Sequence, residues 1–379
     1  MATSGNFVQL HNHTHYSLLD GASKIPDLVK RAKELNMPAV GITDHGNMHG
    51  AYEMWSTAVK EGVKPIIGIE AYVTPETARQ DQTRVSWDTN WNPDIDPQHR
   101  RRNPNDVSGG GLITHLTMWA ETDEGLVNLM KASTDANLEG RVMRYPRMDK
   151  EILAKYSKGI IASSGCPSGI IQTRLLLGQF DEALRAAGEL QDIFGRDNFY
   201  IEFMDHGLKI EKQVTDGLLD IAKKLNAPLL ATNDSHYVRA EDAGSQDAML
   251  CINSGSTLDE PGRFKFDGTG YYLKSAEEMR ELFKDIPEAC DNTLEIAERC
   301  NVMFDDHEDG AFMPQFDCPE GWDETSLFLR KVEEGLEQRY DGHPPIEVLK
   351  QADYECGVIC QMQFCGYFLV VADYINWAK

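Results

Sequence analysis

The chain has 379 residues, enough for one large or two medium domains with a substantial core. Its 41% apolar and 26% charged residues are those of an ordinary globular protein, which excludes a disordered chain. The net charge of −24 excludes a protein that grips nucleic acid with its whole surface.

A site that reaches phosphates through bound cations stays open, because metals reverse the local sign. No apolar run approaches the roughly 18 residues of a membrane helix, so no membrane partner is expected. MATSGNFVQ is not a signal peptide, so a cytoplasmic protein is expected. The eight cysteines (166, 251, 290, 300, 318, 356, 360 and 365) show neither CxxC pairs nor the spacing of a secreted framework. Cys356 and Cys360 lie one helical turn apart among apolar residues and read as packing.

Taken in order, the chain opens with FVQLHNHTHYSLLD at residues 7–20. This reads as a short strand that runs into histidines and ends on a carboxylate. Alternation of Val8 and Leu10 with Gln9 and His11 puts His11 and His13 on one face, two residues apart. From there to about residue 238, strand-like and helix-like stretches alternate. The strand candidates are 7–11, 39–43, 65–73, 112–119, 159–163, 198–204 and 228–232. Several are near-continuous apolar runs, as in strands buried on both faces of a parallel sheet. The stretches between them carry amphipathic spacing, such as Ile25, Leu28, Val29, Ala32 and Leu35, with Pro26 suited to a first helical turn. The class is α/β: a (β/α)7 barrel, with a doubly wound open sheet as the competitor.

One connection breaks this rhythm. Residues 77–111 are polar, rich in Asp, Asn, Pro and Gly, and carry Trp87, Trp91, Arg100, Arg101 and Arg102. A loop of this length is usually functional or disordered. Arginines among aromatics suit a nucleic-acid strand, and a solvated insertion with incidental charge explains them equally well. Beyond residue 238 a helix is expected over 241–253, a hairpin over 264–273, and a capping box at Ser275 and Glu278. Mainly helical sequence follows to residue 379, so the domains are read as 1–275 and 276–379. The tail GYFLVVADYINWAK is apolar nearly all round and stops without a cap, as if cut from something longer.

The strand ends collect chemistry. They supply His11, His13 and Asp20, then Asp44 and His45 in ITDHGN, and Glu70 in IIGIEAY. His115 follows in LITHLTM, Cys166 in IIASSGCPSG, Asp205 and His206 in FMDHG, and Asp234 and His236 in TNDSHY. In a parallel barrel these ends meet at one mouth. Singly, Glu70 reads as a salt-bridged core acid, Cys166 as an apolar filler, and His115 as a hydrogen-bonded core histidine. Together they predict a multinuclear metal site, since a carboxylate inside an apolar strand is costly unless paired or bound to a cation. Imidazole with thiolate favours zinc, with manganese or iron suited to the His and carboxylate positions.

LHNHTHYSLLDG, GITDHGN, GIEAY, THLTM, SGCPSG and TNDSHY resemble the PHP (polymerase and histidinol phosphatase) domain. The version is the one found at the N-terminus of bacterial replicative DNA polymerase III alpha subunits. The likeness runs over nearly the whole chain, and GYFLVVADYINWAK resembles the opening of that polymerase's palm.

The resemblance implies a distorted seven-stranded PHP barrel followed by a mainly helical partial palm segment. It also implies three divalent metal ions. His11, His13, Glu70 and Asp234 would hold the first, Glu70, His115 and Cys166 the second, and Asp20, His45 and His236 the third. Gln9 and His15 depart from residues common in the family and belong to none of these sets.

Three functions follow. The first is a 3′→5′ proofreading exonuclease, whose partners are the primer–template 3′ end, the rest of the polymerase and other replisome subunits. Water activated by the metals would serve it, so no side chain is assigned as general base. The second is a structural module that keeps metals for folding, and the third a small-molecule phosphatase. Asp44 and Asp205 are expected to orient histidines from behind, with a plain strand-end role as the alternative. His206 is a candidate substrate contact or a capping residue. The fragment lacks the palm's catalytic aspartates and is not expected to polymerise DNA.

Overall fold

The structure, a computed structural model, describes residues 6–88, 90, 103–305 and 314–379. Trp91, Arg100, Arg101 and Arg102 lie outside the described residues. In chain order the strands are β1 (Ala39–Ile42), β2 (Lys64–Val73), β3 (Thr114–Ala120), β4 (Arg141–Val142), β5 (Tyr145–Met148), β6 (Ile160–Ser163), β7 (Phe199–Phe203) and β8 (Leu229–Ala231). Of these, β1, β2, β3, β6, β7 and β8 pair side by side in that order. Residues 7–14 close the ring through single parallel bridges, Gln9 to Val40 and Asn12 to Ser235. The result is a distorted seven-stranded α/β barrel. Gly41 allows the closure, because a Cβ there would stand 2.5 Å from the Leu10 carbonyl oxygen.

The all-parallel expectation needs correction. β3 runs antiparallel to both β2 and β6. A parallel neighbour needs a long crossover, usually helical, and the chain between β2 and β3 supplies among the described residues only a short turn, Ser108–Gly111, with Gly109 and Gly110 in left-handed backbone. His115 therefore enters the mouth from the start of its strand rather than the end. The β4–β5 hairpin, attached to the end of β2, was not expected from the sequence. The expected hairpin at 264–273 forms no ladder; this stretch is a loop that meets the barrel at one bridge, Tyr237 to Tyr272.

Helices cover the outside of the ring as their apolar spacing dictates. Helix Ile25–Glu34, with proline in its first turn, buries Ile25, Leu28, Val29 and Ala32. Inside the barrel, Val8, Leu10, Ile66, Trp119, Ile161, Tyr200 and Leu230 form an apolar plug. Helix Pro287–Arg299 completes it with Leu294, Ile296 and Ala297. The Thr293 hydroxyl accepts from the Val8 amide at 3.1 Å, and Lys64 donates to the Ala297 carbonyl at 2.6 Å. One compact unit accordingly runs to Phe304, beyond the boundary expected at residue 275.

The second unit, Asp305–Lys379, is helical. Helices Glu324–Arg339, Ile346–Gln361 and Cys365–Ala378 share a small core of Leu327, Phe328, Cys365 and Leu369. Cys356 and Cys360 pack against that core. No single helix among the described residues is long and apolar enough to cross a membrane.

Candidate metal centre

At the mouth of the barrel, carboxylates and imidazoles stand closer together than their own chemistry favours. Glu70 lies at the middle, 1% exposed. Its Oε2 is 3.1 Å from His13 Nε2, 3.6 Å from His11 Nε2 and 2.9 Å from His45 Nδ1. Its Oε1 is 3.0 Å from His115 Nδ1. Asp234 Oδ1 lies 3.4 Å from His11 Nε2 and 3.0 Å from His13 Nε2. On the outer side Asp20 Oδ2 is 3.0 Å from His45 Nε2 and 4.0 Å from His236 Nε2. Cys166 Sγ lies 3.4 Å from His115 Nδ1.

The protons on these rings decide what fits between them. His11 Nδ1 sits 2.7 Å from Glu202 Oε1, which can only accept, so Nδ1 carries the hydrogen and Nε2 keeps a lone pair. Ser17 Oγ gives its one proton to Asp44 Oδ1 at 2.7 Å and must accept from His13 Nδ1 at 2.9 Å. His236 Nδ1 donates to the Asp234 carbonyl at 2.8 Å. The Nε2 lone pairs of His11 and His13 therefore face carboxylate oxygens, acceptor against acceptor. His11 Nε2, His13 Nε2, His45 Nδ1, Glu70 Oε2 and Asp234 Oδ1 are all buried without a hydrogen-bond partner. Such a contact is stable only with a cation inside it.

Two kinds of cation are possible, a proton or a metal. Without a metal, burial opposes charge on His11, but Glu202, Asp234 and Glu70 outweigh it and hold the imidazole well above its ordinary range. His45 is raised in the same way, against burial, mainly by Glu70. Burial likewise opposes charge on Glu70, and the histidines His115, His45 and His11 hold it well below the usual carboxylate range. Burial and the charge of His13 push His236 down to about 4, leaving it neutral. Burial, then Glu70 and Asp234, push the Cys166 thiol well up. It would give up that proton to a bound metal. The donors' 3.0–3.6 Å spacing also matches the edge of a tetrahedron with bonds of about 2.1 Å, roughly 3.4 Å. The donor set fits a divalent metal.

Among the described residues, three groups of side chains are close enough to hold an ion: His11, His13, Glu70 and Asp234; His45, Glu70 and His115; and His13, His45 and His236. The first coincides with the set implied by resemblance for one ion. The others overlap the second and third sets only in part, because His45 spans Glu70 and Asp20 with its two nitrogens.

Residues 9–206, more than half of the chain, match the family profile described as "PHP domain". The chain belongs to the PHP domain family. Residues 326–379 match a second profile, "Bacterial DNA polymerase III alpha NTPase domain". The chain is 49% identical over 379 residues to a DNA polymerase III subunit alpha of Mycobacterium tuberculosis, covering 100% of this chain and 31% of that protein. It is 50% identical over 375 residues to the Mycobacterium leprae subunit, with 99% and 31% covered. The chain thus spans about a third of the length of these relatives. Among solved structures, a putative metal-dependent phosphoesterase from Bifidobacterium adolescentis aligns at 15% identity and a TM-score of 0.36, over 74% of this chain and 96% of that one.

Behind the donors of this PHP site stands a layer that fixes them. Asp44 accepts from the Thr14 amide and hydroxyl and from Ser17, so it orients His13 through one hydroxyl. Among the described residues Asp205 accepts from the Gly207 amide alone, and it takes no part in the cluster. His206 is spent on structure: Glu211 holds Nδ1 at 2.6 Å, the Asn233 carbonyl holds Nε2 at 2.9 Å, and Tyr271 stacks on the ring at 4.0 Å. Trp87 of the long loop is likewise engaged, with the Arg174 guanidinium 3.8 Å over its ring.

Sequence reasoning missed Glu202. It lies inside the apolar strand β7, as Glu70 lies inside β2, and the same signal would have found it. It accepts from His11, Thr232 and Ser163. Lys274 was missed too; its ammonium binds Asn233 Oδ1 at 2.5 Å, beside Asp234. Asp234 itself takes a left-handed backbone, φ 44°, a strain that clusters at functional sites.

Proposed function

We propose that the mouth is a metal-dependent phosphodiesterase that removes nucleotides from the 3′ end of DNA, a 3′→5′ exonuclease serving a replicative polymerase. The reading rests on the buried lone pairs of His11, His13, Glu70 and Asp234 that face one another without protons of their own. Divalent cations there, zinc first and manganese or iron as alternatives, would polarise both a phosphodiester and a water.

In this reading three ions are held as the resemblance implies: by His11, His13, Glu70 and Asp234; by Glu70, His115 and Cys166; and by Asp20, His45 and His236. Glu202 and the Ser17–Asp44 pair keep His11 and His13 in the tautomer that binds. The chain's negative charge leaves most DNA affinity to the cations and to parts of the polymerase beyond these residues. The partners are then the primer–template 3′ end, the rest of that polymerase and other replisome subunits.

The test is digestion of a mismatched primer by the metal-loaded chain, wild type against Asp20→Asn and His13→Ala. The variants are expected to fall to background. Equal digestion by all three would end the reading.

A second reading has its own support. Residues 7–14 join the sheet by single bridges only, so metals on His11 and His13 would also pin the first strand. Chelation is then expected to lower the melting temperature by several degrees. A purely structural site would show that loss with no nuclease to lose.

A further inference from the structure

Beside the metal donors lies a cavity of about 380 Å³ that none of them lines. Gln246, Leu250, Lys265 and Phe266 form part of its wall. Two contacts join it to the centre. The Phe266 ring stands edge-on to the His236 imidazole, centroids 4.7 Å apart at 77°. The Gln246 amide donates to the main-chain carbonyl of Asp20. Two wall residues of this cavity, Phe266 and Gln246, thus also touch His236 and the main chain of Asp20.

The chemistry of the wall narrows that group. Leu250 is buried and Phe266 half-buried, giving an apolar floor and an aromatic ring. The Gln246 carbonyl oxygen is buried with no hydrogen-bond partner. Arg263 is neutralised by Asp247, two contacts of 2.6 Å. Lys265 is exposed and has no ion pair among the described residues, so it is the cation left at the rim. The volume lies within the range of small-ligand pockets, about 300–1,000 Å³. An apolar floor with an aromatic ring and a cation beside a phosphate site suits a flat heteroaromatic ring attached to a phosphate.

We propose that this cavity takes the nucleobase of the nucleotide whose phosphate lies at the metal centre, with Phe266 as its stacking surface and Lys265 facing a phosphate. The inference rests on the phosphodiesterase reading and adds to it a base subsite, indifferent to base identity because every base has a π-face.

The experiment is a calorimetric titration of the full chain, loaded with manganese, using dAMP and, separately, inorganic phosphate. The wild type is expected to bind dAMP about tenfold more tightly than phosphate, the order expected of one stacked base. Phe266→Ala should remove most of that margin while leaving phosphate affinity and metal content within about twofold, and Phe266→Trp should restore it. No margin in the wild type overturns the subsite, as does a margin untouched by Phe266→Ala. Equal loss of dAMP and phosphate also overturns it, since Phe266 would then only brace His236. None of these readouts needs hydrolysis. Failure of the nuclease shows instead as DNA digestion indifferent to Asp20→Asn.

Discussion

The two ends of the barrel are built from the same strands by opposite physics. Toward the foot, the inward positions are Ile66, Trp119, Ile161 and Tyr200, sealed by helix Pro287–Arg299. Two to four residues along the same strands, toward the mouth, they become Glu70, His115, Ser163 and Glu202. Both ends are buried. At the foot, burial itself stabilises, by about 1.5–3 kcal/mol for each large apolar side chain. At the mouth burial opposes charge, and hydrogen bonds from behind, by Glu202 and the Ser17–Asp44 pair, hold the rings of His11 and His13 in place. The foot therefore carries stability, whereas the mouth stores unsatisfied lone pairs that a cation can relieve.

Three measurements test this contrast. The largest effect belongs to the foot. Trp119→Ala removes a fully buried ring and leaves the Leu10 carbonyl without its 3.1 Å donor. A loss of about 3–5 kcal/mol is expected in denaturant unfolding, with metal content per folded chain unchanged. A comparable loss of metal would mean that the two ends are not separable.

Next is Glu202→Gln, which keeps the shape and removes the charge holding His11 Nδ1–H. Metal affinity should fall about 10- to 100-fold in a competition assay with a chelator dye. An unchanged affinity would mean that the tautomer is fixed some other way.

The third measurement concerns Lys274, whose burial pulls its pKa down to about 8 from an ordinary value of 10.5. Between those values the unfolded chain holds the proton more tightly than the folded one, so this group's contribution to stability rises with pH across the window. It is absent as a slope below about pH 8, where both states are charged. Relative to wild type, Lys274→Met should flatten the stability–pH curve from about 8 to 10.5. A curve of the same slope in both proteins would place the ammonium in contact with solvent.

Much of the site is legible in the sequence because polar donors inside apolar strands are conspicuous. Glu70 between isoleucine and alanine, and His115 between threonine and leucine, announce themselves without coordinates. Position along the chain is a poorer guide to role. Asp205 and His206 sit at a strand end as Asp234 does, yet one closes a turn and the other is consumed by Glu211 and Tyr271. Ser17 looks like an ordinary loop serine, and its role exists only because Asp44, twenty-seven residues on, reaches the same hydroxyl. The direction of β3 could have been read from residues 77–111, which lack the amphipathic helix that a parallel crossover needs.

The main barrel strands, the covering helices and the supply of metal donors were legible in the sequence, since period and side-chain chemistry are local properties; the β4–β5 hairpin was not. Which end helix Pro287–Arg299 seals, how His45 is shared between Glu70 and Asp20, and which nitrogens keep their lone pairs were decided only in three dimensions. Those outcomes depend on distances between residues far apart in the chain, and hydrogen bonds and Coulomb forces act over ångströms, not over sequence positions.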